Sequence, residues 1–287
     1  MILNPDKLKQ RYSVNQERFD RYSKVLKFAL GFVKYMETPV IGRLIKKLVL
    51  MDSPENHHTQ GYTLNIDKRL HKDEANGNVT LPIELVRRLV KESEHRYKLM
   101  GCICRTGNSC KDYPIDFGCL FLGEGGQVCE KNGIAEAVSV EEALQHVEKA
   151  QEYGLIAQAL YAEVEKYLWG IEEDRLENWI ELCFCCPCCC LGFQLLKHAG
   201  PEVRDRIQSV GWKASVTEQC TSCGECVTAC SFHSISLWNN KTVSIAENCL
   251  GCGVCASRCP ENAIELKQVL PVKNRINEYF RGYTPKP

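Results

Sequence analysis

The sequence predicts an α+β chain: a mostly helical, cysteine-rich N-terminal region, then a small C-terminal module carrying two copies of one four-cysteine run. Three observations predict it. Apolar residues recur at helical spacing through long stretches ahead of the module. The 19 cysteines fall into three sets rather than being scattered. Short strand-forming segments with a polar turn between them lie inside the last set. The chain divides into a helical region with a loop over 1–79, a cysteine-rich, mostly helical domain over 80–212, the two-run module over 213–270 and a tail over 271–287. At 287 residues it buries a core without disulfide staples, so its cysteines are there for chemistry.

Residues 6–51 read as helices. Val25, Leu26, Phe28, Phe32, Val33 and Met36 recur at helical spacing as far as Pro39, and Ile41, Leu44, Ile45, Leu48 and Val49 resume it. Lys24, Lys27, Lys34, Arg43, Lys46 and Lys47 make the outer face basic, which suits solvent, an acidic protein partner or peripheral contact with an anionic membrane surface. From Asp52 to Asn78 the chain is polar and reads as a loop with a short strand at Tyr62 to Ile66. Its His57–His58 pair has no nearby cysteine and reads as solvated. A helix opens at Thr80 with Pro82 in its first turn and carries Ile83, Val86, Leu89, Val90, Tyr97 and Met100 along one face. Ser139-x-x-Glu142 is a capping box opening a helix through Tyr153, with Gly154 at its end. Leu155 to Tyr161 fits either strand or helix. Asp174 to Glu181 leads helically into the next cysteines, and Pro201 opens a short helix that Gly211 ends.

Leu182 to Cys190 reads Leu-Cys-Phe-Cys-Cys-Pro-Cys-Cys-Cys, six cysteines in nine residues. Packing does not call for oxidisable thiols side by side; metal ligation or redox chemistry does. Adjacent cysteines point in different directions, so Cys185 with Cys186, and Cys188 through Cys190, do not all serve one cubane. Upstream, Cys102, Cys104, Cys110 and Cys119 lie among turn residues and supply four ligands. Four is the number that a [4Fe-4S] cube or a tetrahedral zinc requires, although neither standard spacing is matched. Arg105 and Lys111 beside them would offset thiolate charge. Cys129 reads as free or auxiliary. The upstream metal ligands are therefore expected among Cys102, Cys104, Cys110, Cys119, Cys183, Cys185, Cys186, Cys189 and Cys190.

Downstream, Cys220-x2-Cys223-x2-Cys226-x3-Cys230 is followed by Cys249-x2-Cys252-x2-Cys255-x3-Cys259-Pro260. This repeated run resembles bacterial two-cluster ferredoxins, in which the fourth cysteine of each run ligates the other cluster. The resemblance implies a ferredoxin-like fold with two [4Fe-4S] clusters, one on Cys220, Cys223, Cys226 and Cys259, the other on Cys249, Cys252, Cys255 and Cys230. A double zinc ribbon uses paired two-cysteine arms and matches less well. Ser231 stands where the second run has Pro260, which predicts a different local turn with the sulfurs intact. Ser236-Leu237-Trp238 and Thr242-Val243-Ser244-Ile245 flank Asn239-Asn240-Lys241 as a hairpin, and Ile235 and Ile264 occupy equivalent positions over the clusters.

Taken with Cys-Ile-Cys-Arg, Cys-Lys-Asp-Tyr-Pro-Ile-Asp-Phe-Gly-Cys, Glu-Glu-Ala-Leu and Cys-Phe-Cys-Cys-Pro-Cys-Cys-Cys, the region from Thr80 to Pro260 resembles a group of ferredoxin-fused iron–sulfur proteins of anaerobes. That resemblance implies a further iron–sulfur centre in a partner of a larger redox system, and it names no substrate. The expected function is an iron–sulfur electron-transfer protein or redox-complex subunit with one or two clusters beyond the two cubes. The alternatives are a cluster-assisted reductase of a disulfide or other substrate, with non-ligand thiols attacking and resolving, and a ferredoxin with a structural zinc docking domain. Lys+Arg and Asp+Glu balance at 36 each, so nothing points to nucleic acid. No apolar run of about 18 residues is present for a transmembrane helix, and no basic leader precedes an apolar run, so a reducing cytoplasm is expected. No dinucleotide fingerprint or P-loop occurs; flavin or nicotinamide, if used, belongs to a redox partner.

Overall fold

The computed structural model describes residues 15–50, 59–71, 80–172, 175, 179–239 and 242–280, and helices and sheets are mixed through it in an α+β arrangement. At its centre lies a seven-stranded sheet. Its strands are β1 (Gln60–Leu64), β2 (Arg96–Leu99), β3 (Leu120–Leu122), β4 (Ala135–Ala137), β5 (Ile156–Tyr161), β6 (Ile180–Cys185) and β7 (Ile207–Ser209), in the order β4-β2-β3-β6-β5-β1-β7. All neighbours run antiparallel except β1 and β7. Strand β1, from the polar stretch before residue 79, is thus hydrogen-bonded to strands on either side of the cysteine-rich sequence.

Three elements differ from expectation. The helix opened by Pro82 stops at Glu92, where Ser93 leaves helical geometry at ψ 134°, so Tyr97 belongs to β2 and Met100 lies beyond it, exposed. Leu155 to Tyr161, open between two readings, contains β5. Within the stretch expected to be helical up to Glu181, Ile180 already starts β6, so the six-cysteine segment begins on a strand. Its period-two signal is present in the alternation of Ile180, Leu182 and Phe184 with Glu181, Cys183 and Cys185. Because both faces are covered, the second face carries thiols rather than solvated groups, which hides the alternation.

Register sorts the chemistry. On one face Leu120, Leu182 and Ala159 lie side by side, as do Phe184 with Ala157 and Ala157 with Leu64; the helices Pro82–Glu92 and Val140–Glu152 pack together over this apolar layer. The capping box is formed, with Ser139 Oγ accepting from Glu142 N and Glu142 Oε2 accepting from Ser139 N. On the other face Gln158 lies opposite Cys183, Leu160 opposite Glu181 and Ile156 opposite Cys185. The helices Phe19–Leu30, Ile103–Asn108 and Leu191–His198 lie on this side.

The Phe19–Leu30 helix buries Phe19 and Ser23, with Tyr22 and Leu26 against the core, and Ser23 lets Gly107 approach so closely that a β-carbon there would meet the Ser23 carbonyl. Val25, Phe28 and Phe32, which periodicity joined to the inward face, are 57%, 71% and 47% exposed. Helical spacing identifies stripes but not which stripe finds a partner, and the small Ser23 decides it here. Val33, Met36 and Ile45 do turn inward.

The Ser209–Gly211 turn, with Ser209 Oγ accepting from Gly211 N and Trp212 N, leads from β7 into β8 (Trp212–Val216). Beyond it lie the hairpin β9 (Ile235–Trp238) and β10 (Thr242–Ile245), then β11 (Ile264–Gln268), which pairs with β8. The short helix Pro201–Arg204 ends well before Gly211, because β7 intervenes. Asn65 Nδ2 donates to Cys252 O at 2.8 Å, and Gly253, at φ +79°, leaves room for that amide. Tyr62 donates to the Tyr279 carbonyl and Tyr279 to that of Val210, so the start of the tail is docked. Among the described residues no helix is long and apolar enough to cross a membrane. Residues 6–14, His57, His58, Asn76, Gly77, Asp174, Asn240 and Lys241, named in the sequence reading, lie outside the described residues.

Candidate metal centres

In the C-terminal module the two runs fold alike. Cys249 follows Cys220 by 29 residues, and at that offset Ser222 and Gly251 have φ 60° and 63°, Gly224 and Gly253 82° and 79°, and His233 and Asn262 52° and 51°. The turn after Ser231 therefore matches the one after Pro260, contrary to the difference expected there. Each run starts in a loop, turns through a positive-φ glycine into a short helix, Glu225–Ala229 or Val254–Arg258, and ends at its fourth cysteine. Cys220, Cys223, Cys226 and Cys259 line one small cavity together with Val243 and Ile264. In the other half burial raises the Cys252 thiol to about 12, and Cys255 rises through burial and then the neighbouring charges of Cys252, Cys249 and Cys230. Sulfur also receives backbone N–H groups: Cys230 from Ser234, Cys249 from Gly251 and Cys259 from Ala263 at 3.2–3.4 Å. Such N–H···S contacts stabilise thiolate charge and set cluster potential. Ile235 and Ile264 are both buried beside these cysteines.

The upstream thiols form two groups instead of the single four-ligand spacing. Cys102 caps the Ile103–Asn108 helix, Cys104 sits in its first turn, Cys119 precedes β3, Cys183 and Cys185 lie on β6, and Cys190 caps the Leu191–His198 helix. These six are linked in a chain: Cys102 to Cys104, Cys104 to Cys190, Cys190 to Cys185 at 3.2 Å, Cys185 to Cys183, and Cys183 to Cys119 at 3.3 Å. Glu181 Oε1 accepts from Cys183 at 3.0 Å, and Cys119, Glu181 and Cys183 are close enough to share one ion. Hydrogen bonds from Cys183 and Cys190 lower the Cys185 pKa, whereas the Cys104 contact and then burial raise Cys102. Thiols packed this closely compete for protons, a competition that binding to a metal as thiolates would relieve.

Arg105 fixes the electrostatics of this inner group. It is fully buried, and its guanidinium donates to the carbonyls of Pro114 at 2.8 Å, Phe184 at 2.9 Å and Phe117. Among the described residues no carboxylate pairs with it. Burial works against its charge, and the nearby sulfurs of Cys102, Cys119, Cys186 and Cys185 work for it. A buried cation is costly unless its donors are matched; the three carbonyls match them, and the neighbouring sulfurs would offset its charge when they are thiolates. Lys111, expected to share this role, is exposed.

Cys110 leaves the spacing group and joins Cys186, Cys188 and Cys189, whose sulfurs all lie within 4.8 Å of one another. Four thiolates at about 2.3 Å from one tetrahedral ion have edges of about 3.8 Å. The Cys110–Cys188 distance is 3.8 Å, which fits one ion rather than a cube. Cys188, absent from the ligands expected from sequence, is one of the four. The signal was Pro187, which turns the chain so that the sulfurs of Cys186 and Cys188 converge instead of diverging. Cys129 is fully buried among apolar side chains, and burial raises its thiol.

The inner group adjoins the module. Cys185 and Cys190 belong to one apolar cluster with Ile156, Phe193, Phe232 and Leu250, against which Cys183, Cys230 and Cys252 also pack; the rings of Phe193 and Phe232 meet edge to face at 5.1 Å. Glu165, behind β6, is held far above the usual carboxylate range by burial and then by Glu181.

No curated protein and no solved structure matches the chain significantly. The family of 4Fe-4S dicluster domains matches residues 219–263, so this part of the chain is an iron–sulfur, ferredoxin-like domain.

Proposed function

We propose that the protein is an iron–sulfur electron-transfer protein or redox-complex subunit of a reducing, cytoplasmic compartment in an anaerobe. Two ferredoxin-type [4Fe-4S] clusters, on Cys220, Cys223, Cys226 and Cys259 and on Cys249, Cys252, Cys255 and Cys230, would exchange low-potential electrons with an upstream iron–sulfur centre. The inner group of Cys102, Cys104, Cys119, Cys183, Cys185 and Cys190 would hold that centre. When bound, the clusters supply one-electron carriers. The chain's own residues do the rest: Arg105 offsets thiolate charge, N–H groups at Cys230, Cys249 and Cys259 tune it, and Ile235 and Ile264 keep water away.

The observation that carries this reading is the shared apolar cluster, which holds Cys185 and Cys190 with the rings of Phe193 and Phe232 and has Cys230 and Cys252 packed against it. Cys223 is exposed, which suits exchange with a redox protein partner at the first cluster. The four close sulfurs of Cys110, Cys186, Cys188 and Cys189 favour a second component, a structural zinc that staples the cysteine turn to the segment after the Ile103–Asn108 helix.

Iron, acid-labile sulfide and zinc per full-length chain, purified without oxygen, test both. About eight irons for the module, about four more for the inner group and about one zinc are expected. Iron confined to the module would sink the upstream redox centre and leave a ferredoxin with a zinc-stabilised docking domain.

A further inference from the structure

Between the thiol-bearing face of the sheet and the helices Phe19–Leu30, Val164–Trp169 and Leu191–His198 lies a cavity of about 430 Å³. Its walls are mostly apolar, with Leu160, Leu168, Leu195 and Ile207 among them, and one side is formed by Cys183, Cys185 and Cys190. Three polar atoms do not fit an apolar void. Gln158 Nε2, Glu165 Oε2 and Trp169 Nε1 are buried on residues that line the cavity, and none of these three atoms has a hydrogen-bond partner, although the Glu165 carboxyl also meets Glu181. Gln158 is 1% and Glu165 9% exposed. Leaving such groups unmatched costs about 1–3 kcal/mol each, so they mark where a ligand's polar group belongs. A volume of this size with few polar atoms in apolar walls is the form of a small-molecule site.

We propose that the cavity binds an uncharged, mostly apolar organic molecule with one hydroxyl, whose oxygen accepts from Gln158 Nε2 while its hydrogen is donated to Glu165 Oε2. A hydroxyl is the smallest group that both accepts from N–H donors such as Gln158 and Trp169 and donates to a carboxyl oxygen, and a charged ligand is opposed by the apolar walls. Bound there, the molecule lies beside the inner thiol group. This site goes beyond the electron-transfer reading, and its occupancy is measured without any electron transfer.

The probe is 4-hydroxybenzophenone, an apolar aromatic photolabel with one hydroxyl, added to the full chain with its metals in place and without oxygen. Irradiation followed by peptide mapping is expected to show saturable labelling of segments carrying Leu168, Leu195 or Ile207. Leu195→Trp and, separately, Ile207→Trp fill the cavity and should abolish labelling, with visible absorption verifying that each variant retains its clusters. Benzophenone, without the hydroxyl, and Gln158→Leu with the original probe should each weaken labelling about tenfold, the loss expected for one polar match. Absence of saturable labelling in the metal-loaded protein would mean that water or the metal centre fills the space, and would overturn the proposal. So would labelling that survives both tryptophans, or equal labelling by benzophenone.

Discussion

The module and the upstream sulfur domain hold cysteines in opposite ways. In the module each run is one continuous segment, and its loop, positive-φ glycine and short helix recur at a fixed offset with φ values agreeing within a few degrees. Upstream, the inner group draws on the loop after β2, the entry to β3, strand β6 and the cap of the Leu191–His198 helix, segments up to 88 residues apart in sequence, from Cys102 to Cys190. Local geometry makes the first kind of site; a completed sheet makes the second. A centre built on the upstream thiols would therefore depend on the stability of the whole sheet, whereas clusters in the module would depend mainly on their own loops.

The largest test of that contrast is Arg105→Met. It removes the only described counter-charge inside the inner group and strands the carbonyls of Pro114, Phe117 and Phe184. A loss of about 3 kcal/mol or more is expected, with upstream metal lost and the module's iron retained. Chemical denaturation with iron analysis of the folded fraction measures both; loss of all iron in parallel would erase the distinction.

A smaller effect comes from His146. Burial lowers its pKa from 6.5 to about 4, and its ring stacks on Phe117 at 3.9 Å while Nε2 hydrogen-bonds Gly118 O at 2.9 Å, bracing the loop that holds Arg105. The folded state keeps this imidazole neutral while the unfolded chain protonates it. Its contribution is complete above about pH 6.5 and declines as pH falls towards 4, reaching a loss on the order of 2 kcal/mol near pH 5. His146→Leu should flatten that part of the stability–pH curve between about pH 7.5 and 5. An unchanged slope would remove His146 from the account.

The smallest effect is expected for Ser231→Pro, which makes the two runs match. Because the residues two positions on, His233 and Asn262, have the same φ, the change should alter stability by less than about 0.5 kcal/mol and leave the cluster's electron paramagnetic resonance signal in place. A shifted signal would show that the halves are less alike than their backbones.

The same contrast explains what the sequence disclosed. The module was legible because its spacing is its geometry, and the capping box at Ser139 was legible because both partners lie within one turn. The sheet was not. Strands β2, β3, β4 and β7 have only three or four residues, too few for a period to stand out, and β6 alternates apolar residues with thiols instead of with solvated groups. Which upstream thiols converge depends on the pairing of β3 with β6, a contact between residues about 60 positions apart that spacing does not encode. Gln158 and Glu165 gave no signal at all, since each is ordinary in sequence and becomes notable only when one of its polar atoms is buried without a partner.

The passage from β7 through the Ser209–Gly211 turn into β8 has a consequence for how this molecule can be taken apart. The edge of the central sheet and the edge of the module are one stretch of chain, and Asn65 is hydrogen-bonded to the backbone of Cys252. The ferredoxin-like part is thus not cargo on a tether that searches for its neighbour by diffusion. Under the proposed function, hand-over between the two regions would take place across a gap set by folding, so its rate would be governed by that gap and by driving force, and thickening the solvent would leave it unchanged.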